Sequence, residues 1–196
     1  MCATARPFSR PSPRCRRSGP KSTCWLLVNN AGLSRGLEEL YQGNTEDWEE
    51  MIDTNVKGLL YVTRAVVPGM IERGRDHVVK LGSTASELTY PNGAVYCATK
   101  SAEGAINDGL RQDLPGTPIR VTTVDPGMVE TVFSLVRFHG DQERAAKVYQ
   151  GIHALAPEDV AGVIIWAVSS PEHVNIARVL LTPVQQANSL LFHRES

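Results

Sequence analysis

The sequence has no C-x-x-C pair. Of its four cysteines, Cys2, Cys15 and Cys24 fall within the first 24 residues and Cys97 stands alone beside Tyr96. That excludes zinc-ribbon and thioredoxin-like frameworks and points to a reducing compartment, with Cys97 a small buried helix residue rather than a nucleophile. The five histidines are scattered without metal-ligand spacing, so no metal is expected and they read as surface or cap residues. No apolar run approaches the roughly 20 residues of a membrane span, and no apolar core of a secretory signal is present. Internal repeats and linkers are also missing.

What remains is the composition of one soluble globular domain. The 196 residues are 42% hydrophobic and 21% charged, with a net charge of −1 that hints at neither nucleic acid nor membrane. Charge is unevenly spread. Six of the twenty basic residues (Arg6, Arg10, Arg14, Arg16, Arg17, Lys21) and no acidic residue lie in residues 1–25. Residues 1–24 therefore read as a disordered or mispredicted basic leader, with a transit peptide second, against which Pro7, Pro11, Pro13 and Pro20 argue. A nucleic-acid arm would rest on that head alone. Residues 25–196 are the expected domain.

Past the head, strands and helices alternate. Strands are expected at Trp25 to Val28, His77 to Leu81, Ile119 to Val124 and Arg178 to Thr182. Helices are expected over Thr45 to Met70 with Asn44 or Thr45 as cap, Ala94 to Leu114, Asp141 to Gln150, and Pro157 to Ser169. This alternation with short loops predicts a parallel α/β fold. Lys80 is odd within a buried strand, where it would have to snorkel or mark relaxed selection. Asp47, Glu49 and Glu50 read as a solvated helix face, and Trp48 and Trp166 as core packing.

Chemistry concentrates in Gly82 to Lys100, GSTASELTYPNGAVYCATK. Tyr96 and Lys100 are one helical turn apart and share a face. A free tyrosine, with a pKa of about 10, is a poor base at neutral pH, but a neighbouring ammonium favours the phenolate. Ser83, delivered from a strand end, would hold a substrate oxygen. Such a cluster suits proton transfer to or from an alcohol or carbonyl. Tyr-x-x-x-Lys alone also reads as an ordinary stem-packed pair.

Three further motifs accompany it. Asn29-Asn30-Ala31-Gly32 follows an apolar run, and Ala31 and Gly32 allow close approach of backbone to a ligand. Taken alone it reads equally as a glycine turn. Asn55 in DTNVKG is unfavourable within a helix and needs a reason. Asp125-Pro126-Gly127 follows another apolar run. In this order and approximate spacing, the four motifs resemble the short-chain dehydrogenase/reductase family over roughly residues 25 to 196.

The resemblance implies a Rossmann-like doubly wound parallel sheet and a nicotinamide cofactor, bound at the carboxyl ends of the strands. It implies that Tyr96 is base and acid, Lys100 tunes Tyr96 and binds the ribose, Ser83 orients the substrate, and Asn55 supports the proton path. The cofactor would meet Asn30, Ala31, Gly32, Tyr96, Lys100, Pro126, Gly127, Val129 and Thr131. The family's opening strand and glycine-rich turn, T-G-x-x-x-G-x-G, have no counterpart, so an N-terminally truncated domain lacking the first three strands is expected. A competing expectation is a catalytically silent chain that acts only through association with a complete subunit.

A finer resemblance lies in TVFSLVRFHGDQERAAKVYQG, APEDVA and LLTPVQQANSLLFHR. It resembles NADP-dependent 3-hydroxy acid (serine) dehydrogenases within the family, though Val132 stands where those carry glutamate. It implies NADP, with NAD not excluded, since the strand that decides between them is missing. The substrate would be a small 3-hydroxy acid such as serine. Arg137 suits its carboxylate, or equally a surface or interface role. The apolar end Ser189 to Phe192 suits subunit contact, and the family is commonly tetrameric. The remaining expectations are a homo-oligomer with a small-molecule substrate, no nucleic acid or membrane partner, and a cytoplasmic location, with mitochondria second.

Overall fold

The computed structural model describes residues 25–74 and 76–195. The expectations for residues 1–24 lie outside them. Four short β-rich runs build the sheet: β1 (Leu26–Asn29), β2 (His77–Leu81), β3 (Arg120–Pro126) and β4 (Arg178–Leu181). They pair in the order β1-β2-β3-β4, every pair parallel, with Val78 opposite Val121 and Val124 opposite Val179. Parallel neighbours require crossovers, and helices supply them.

Alternation along β2 sends its side chains to two apolar layers. Val78 meets Val67, Met70, Leu114, Ile119 and Val121 on the face covered by α2 (Leu59–Arg73) and α3 (Ala94–Asp113). Val79 meets Val124 and Val160 on the face covered by α6 (Pro157–Val168). Helices thus cover both faces, as in a Rossmann-like sheet. At the β1 edge, Trp25 remains 54% exposed beneath the Arg73 guanidinium.

Helix ends follow local chemistry. Asn44 accepts a hydrogen bond from Glu46 N (3.0 Å) to start α1 (Thr45–Ile52). Asp141 accepts from Arg144 N at the start of α5 (Gln142–Tyr149). Pro157 opens α6, and Asp159 accepts from Ala156 N (2.8 Å).

The long helix expected over 45–70 is divided. Residues Asp53–Gly58 wind as a π-helix between α1 and α2, and α2 runs through Pro68 to Arg73. Gly74, at φ +78, ends it in the left-handed conformation that glycine tolerates. A short helix, α4 (Phe133–Arg137), follows the third strand's loop where none was expected. Among the described residues no helix is long and apolar enough to cross a membrane.

Candidate active site

α3 carries the tyrosine and the lysine on one buried face. Lys100 Nζ lies 5.7 Å from the centre of the Tyr96 ring, and both residues are buried. Gly93, just before the helix, leaves room for the Tyr90 ring, which a Cβ there would overlap at 2.0 Å. Lys100 Nζ donates to Glu103 Oε2 (3.0 Å) and Oε1 (3.3 Å). Burial alone pushes this amine down; the charges of Tyr96 and Glu103 outweigh it, and Lys100 is held above its ordinary value.

Asn55 sits in the π-helical segment, which resolves its unfavourable place in a helix: a wider turn aims its amide inward. Its Oδ1 accepts from Leu33 N (2.8 Å), and its Nδ2 donates to Leu33 O (2.8 Å) and Thr99 Oγ1 (3.0 Å). One buried amide therefore fastens the loop after β1 to α3. Gly32 is the close-approach point: a Cβ there would lie 3.3 Å from both Asn55 Oδ1 and Lys100 Nζ. Asn30 and Ala31 are exposed beside it.

Ser83 caps a short 3-10 turn after β2. Its Oγ accepts from Ala85 N (3.1 Å), which leaves its own proton free to donate. Ala85 packs against Tyr96 and Cys97, so the serine turn rests on α3. Asp125, at the end of β3, accepts from Ser83 N (3.0 Å) and from Arg178 Nε (2.5 Å). Burial raises the Asp125 carboxyl despite the Arg178 guanidinium.

The loop after Pro126 is held from the chain's later part. Gln186 Oε1 accepts from Met128 N (2.8 Å) and occupies the space a Cβ on Gly127 would need. Val129 forms a parallel bridge with Leu155. Exposed Thr131 accepts from Phe133 N through Oγ1 (3.1 Å).

Arg137 reaches the same place from α4. Its Nε donates to Ser34 Oγ (2.9 Å) and its Nη2 to Tyr90 Oη (2.6 Å). The guanidinium carbon lies 5.1 Å from the Tyr96 ring centre and 5.4 Å from that of Phe133. Nη1 makes no hydrogen bond among the described residues. Tyr90 Oη is pushed up to about 12 by burial, against the pull of Arg137, so it stays neutral.

Four expectations about single residues are corrected. Lys80 does not snorkel: it is 1% exposed and ion-paired with Glu103 at 2.5 Å. His77 is no surface residue; it is buried against Thr122 Oγ1 (2.7 Å). Trp166, expected in the core, is 45% exposed. Glu50 is not merely solvated, since it takes a two-point contact from Arg35 (2.7 and 2.8 Å). Cys97 is buried as expected, and burial raises its thiol. Sequence reasoning missed Ser34, Tyr90, Thr99, Glu103 and Gln186, each of which has at least one partner far along the chain. Only Asp125, inside its motif, carried a signal.

The arrangement fits the nicotinamide-ribose half of a dinucleotide. Asn29 Nδ2 is buried without a partner among the described residues, Gly32 leaves the cradle a Cβ would fill, and Lys100 Nζ borders that cradle. Among the described residues no cluster of metal-binding side chains occurs.

Comparison with known proteins bears on the family and the fold. The model of the short chain dehydrogenase family matches residues 21–141. An NADP-dependent 3-hydroxy acid dehydrogenase, YdfG, of Salmonella typhi is 52% identical over 163 residues, 83% of this chain and 66% of that protein. Its counterpart in Escherichia coli K12 is 49% identical, covering 87% of this chain and 69% of that one. A solved structure, the closed form of serine dehydrogenase complexed with NADP+, superposes with a TM-score of 0.82 at 49% identity. It covers 87% of this chain and 69% of its own. The chain spans about two thirds of the length of the curated relatives it matches. With a tyrosine and lysine buried on one helix face, an asparagine on a π-turn locking the loop after β1, and this match, the chain belongs to the short-chain dehydrogenase family.

Proposed function

We infer that the chain is an NADP-dependent dehydrogenase acting at the hydroxyl carbon of small 3-hydroxy acids, with serine the leading candidate. The observation that carries the reading is the Arg137 guanidinium, fixed by Ser34 and Tyr90 and set 5.1 Å from the Tyr96 ring centre. It offers a carboxylate its free Nη1 next to the group that would handle the hydroxyl proton. The names of relatives that share half of the sequence point the same way.

Asn30, Ala31, Gly32, Tyr96, Lys100, Pro126, Gly127, Val129 and Thr131 would hold the cofactor. When bound, it accepts or returns a hydride at its nicotinamide ring. In oxidation Tyr96 takes the proton of the substrate hydroxyl, and in reduction it returns it. The Lys100 ammonium favours the charged form of the Tyr96 oxygen. Ser83 gives its free proton to the substrate oxygen and orients it. Asn55 keeps Lys100 and the loop after β1 in register through Thr99 and Leu33.

Oligomerisation belongs to the proposal. An apolar groove lined by Leu40, Ile52, Val56, Val95, Ala98 and Ala102, and exposed Leu190 and Leu191, suit copies of the chain, a tetramer by family habit. So does a cytoplasmic setting.

The test pairs two substitutions in steady-state kinetics with NADP. Tyr96→Phe lowers turnover by about 10²–10⁴-fold and leaves cofactor affinity nearly unchanged. Arg137→Met raises KM for the 3-hydroxy acid by about tenfold or more and spares a substrate without a carboxylate. An Arg137→Met enzyme with unaltered preference for acids would remove the substrate assignment.

A further inference from the structure

Three charges lie end to end behind the candidate base, and only one has a role so far. Lys80 projects from β2 toward α3; its Nζ touches Glu103 Oε2 at 2.5 Å and donates to Leu81 O at 2.5 Å. The same Oε2 takes Lys100 Nζ at 3.0 Å. Lys80 and Glu103 are 1% and 0% exposed, so water does not screen them. A central strand has no structural need for lysine, and a helix face packed on it has none for glutamate. Each residue makes sense only through the other, and both act on Lys100.

We propose that Glu103, clamped from the sheet by Lys80, is a positioning residue for Lys100, and that Lys80 restores the positive charge that Glu103 would otherwise cancel behind Tyr96. This rests on the dehydrogenase reading above. Geometry supplies the first half: a carboxylate held from both sides fixes the Lys100 amine beside Gly32 and Asn55, where a Cβ on Gly32 would lie 3.3 Å from Nζ. Charge supplies the second. With both lysines protonated the trio carries +1; without the Lys80 charge it is neutral, and the phenolate form of Tyr96 loses its support.

The groups facing Lys80 are Lys100 and Glu103 from α3 and Asp125 from β3. Burial, then the Lys100 charge, pushes the Lys80 amine down to about 8, while Lys100 is held up. Lys80 is thus the amine whose protonation changes first as pH rises.

The test compares the full chain as wild type, K80M and K80M/E103Q. E103Q alone strands two buried ammonium groups and is the variant most prone to unfold. K80M keeps the Lys100 anchor and removes the compensating charge. The acid limb of its pH–rate profile moves up by about one unit, and its NADPH dissociation constant changes little. The double variant restores the charge and loses the anchor. Its limb returns to the wild-type position, while NADPH binds about fivefold more weakly or worse. A merely structural pair would change melting temperature and neither readout. A K80M limb that does not move, or a double variant that binds NADPH like wild type, overturns the proposal. A wild type that binds NADPH but oxidises no 3-hydroxy acid would remove the activity reading alone. The dissociation constants, with the Lys100 13Cε signal across the three proteins, then decide: an unchanged signal and unchanged affinity refute the positioning role.

Discussion

The two ends of α3 bury opposite kinds of side chain. Its first four turns bury Tyr96, Cys97, Thr99, Lys100, Glu103 and Asn107. Its last turn sends Leu110 toward Val67, Met70, Val78, Ile119 and Val121, joined by Leu114 at the cap. Apolar burial is non-directional, so the lower end tolerates any well-shaped filler. The upper end is a network of directional contacts between named atoms, as Asn107 Nδ2 donates to Thr123 Oγ1 at 2.6 Å. The fold is held at one end of the helix, and the proposed chemistry is set at the other.

Breaking the upper end gives the largest expected effect. Glu103→Gln leaves Lys80 and Lys100 buried without their shared ion-pair partner and lowers unfolding free energy by about 3–5 kcal/mol. Urea titration reads it, and a loss below 1 kcal/mol would mean that the trio is solvated. At the lower end, Met70→Ala opens a cavity under β2 and costs about 2–5 kcal/mol, with turnover per folded molecule unchanged. Turnover that falls in step with stability would erase the division between the two ends.

The smallest effect is a pH dependence on the opposite face of β2. Burial, and secondarily the Arg120 charge, lowers His77 to about 4. An unfolded histidine takes its proton near pH 6.5, so the unfolded chain binds more protons between pH 6.5 and 4. Stability from His77 is therefore whole above that window and declines as pH falls through it. Asp125, whose carboxyl is raised, works in the other direction. The difference in urea midpoint between wild type and His77→Gln isolates the histidine: the gap should narrow or reverse from pH 7 to pH 4. A constant gap would show that His77 keeps its ordinary value.

Much of the frame was readable from local pattern. The four β-rich runs stand within two residues of their expected ends, because Val-rich segments bounded by turns carry their own signal. The π-segment at Asp53–Gly58 was not readable, since one wide turn hardly alters helical periodicity. The helix expected to end at Met70 runs on to Arg73, since α2 absorbs Pro68 and stops at Gly74. The short α4 has too few residues to show a period, which hid how Arg137 reaches Tyr96. Lys80 and Glu103 each look out of place in isolation, and only the crossover from β2 to α3 brings the 23-residue gap to 2.5 Å.

Gln186 has a consequence for the order in which the molecule is made. Met128 N and the open side of Gly127 meet its carboxamide 58 residues later in the chain. During synthesis β1 to β3, α3 and the Pro-Gly turn are all made before that side chain exists. A growing chain can therefore hold its first three strands and still lack a finished floor to the site. Translation reaching residue 186 is the event that closes it.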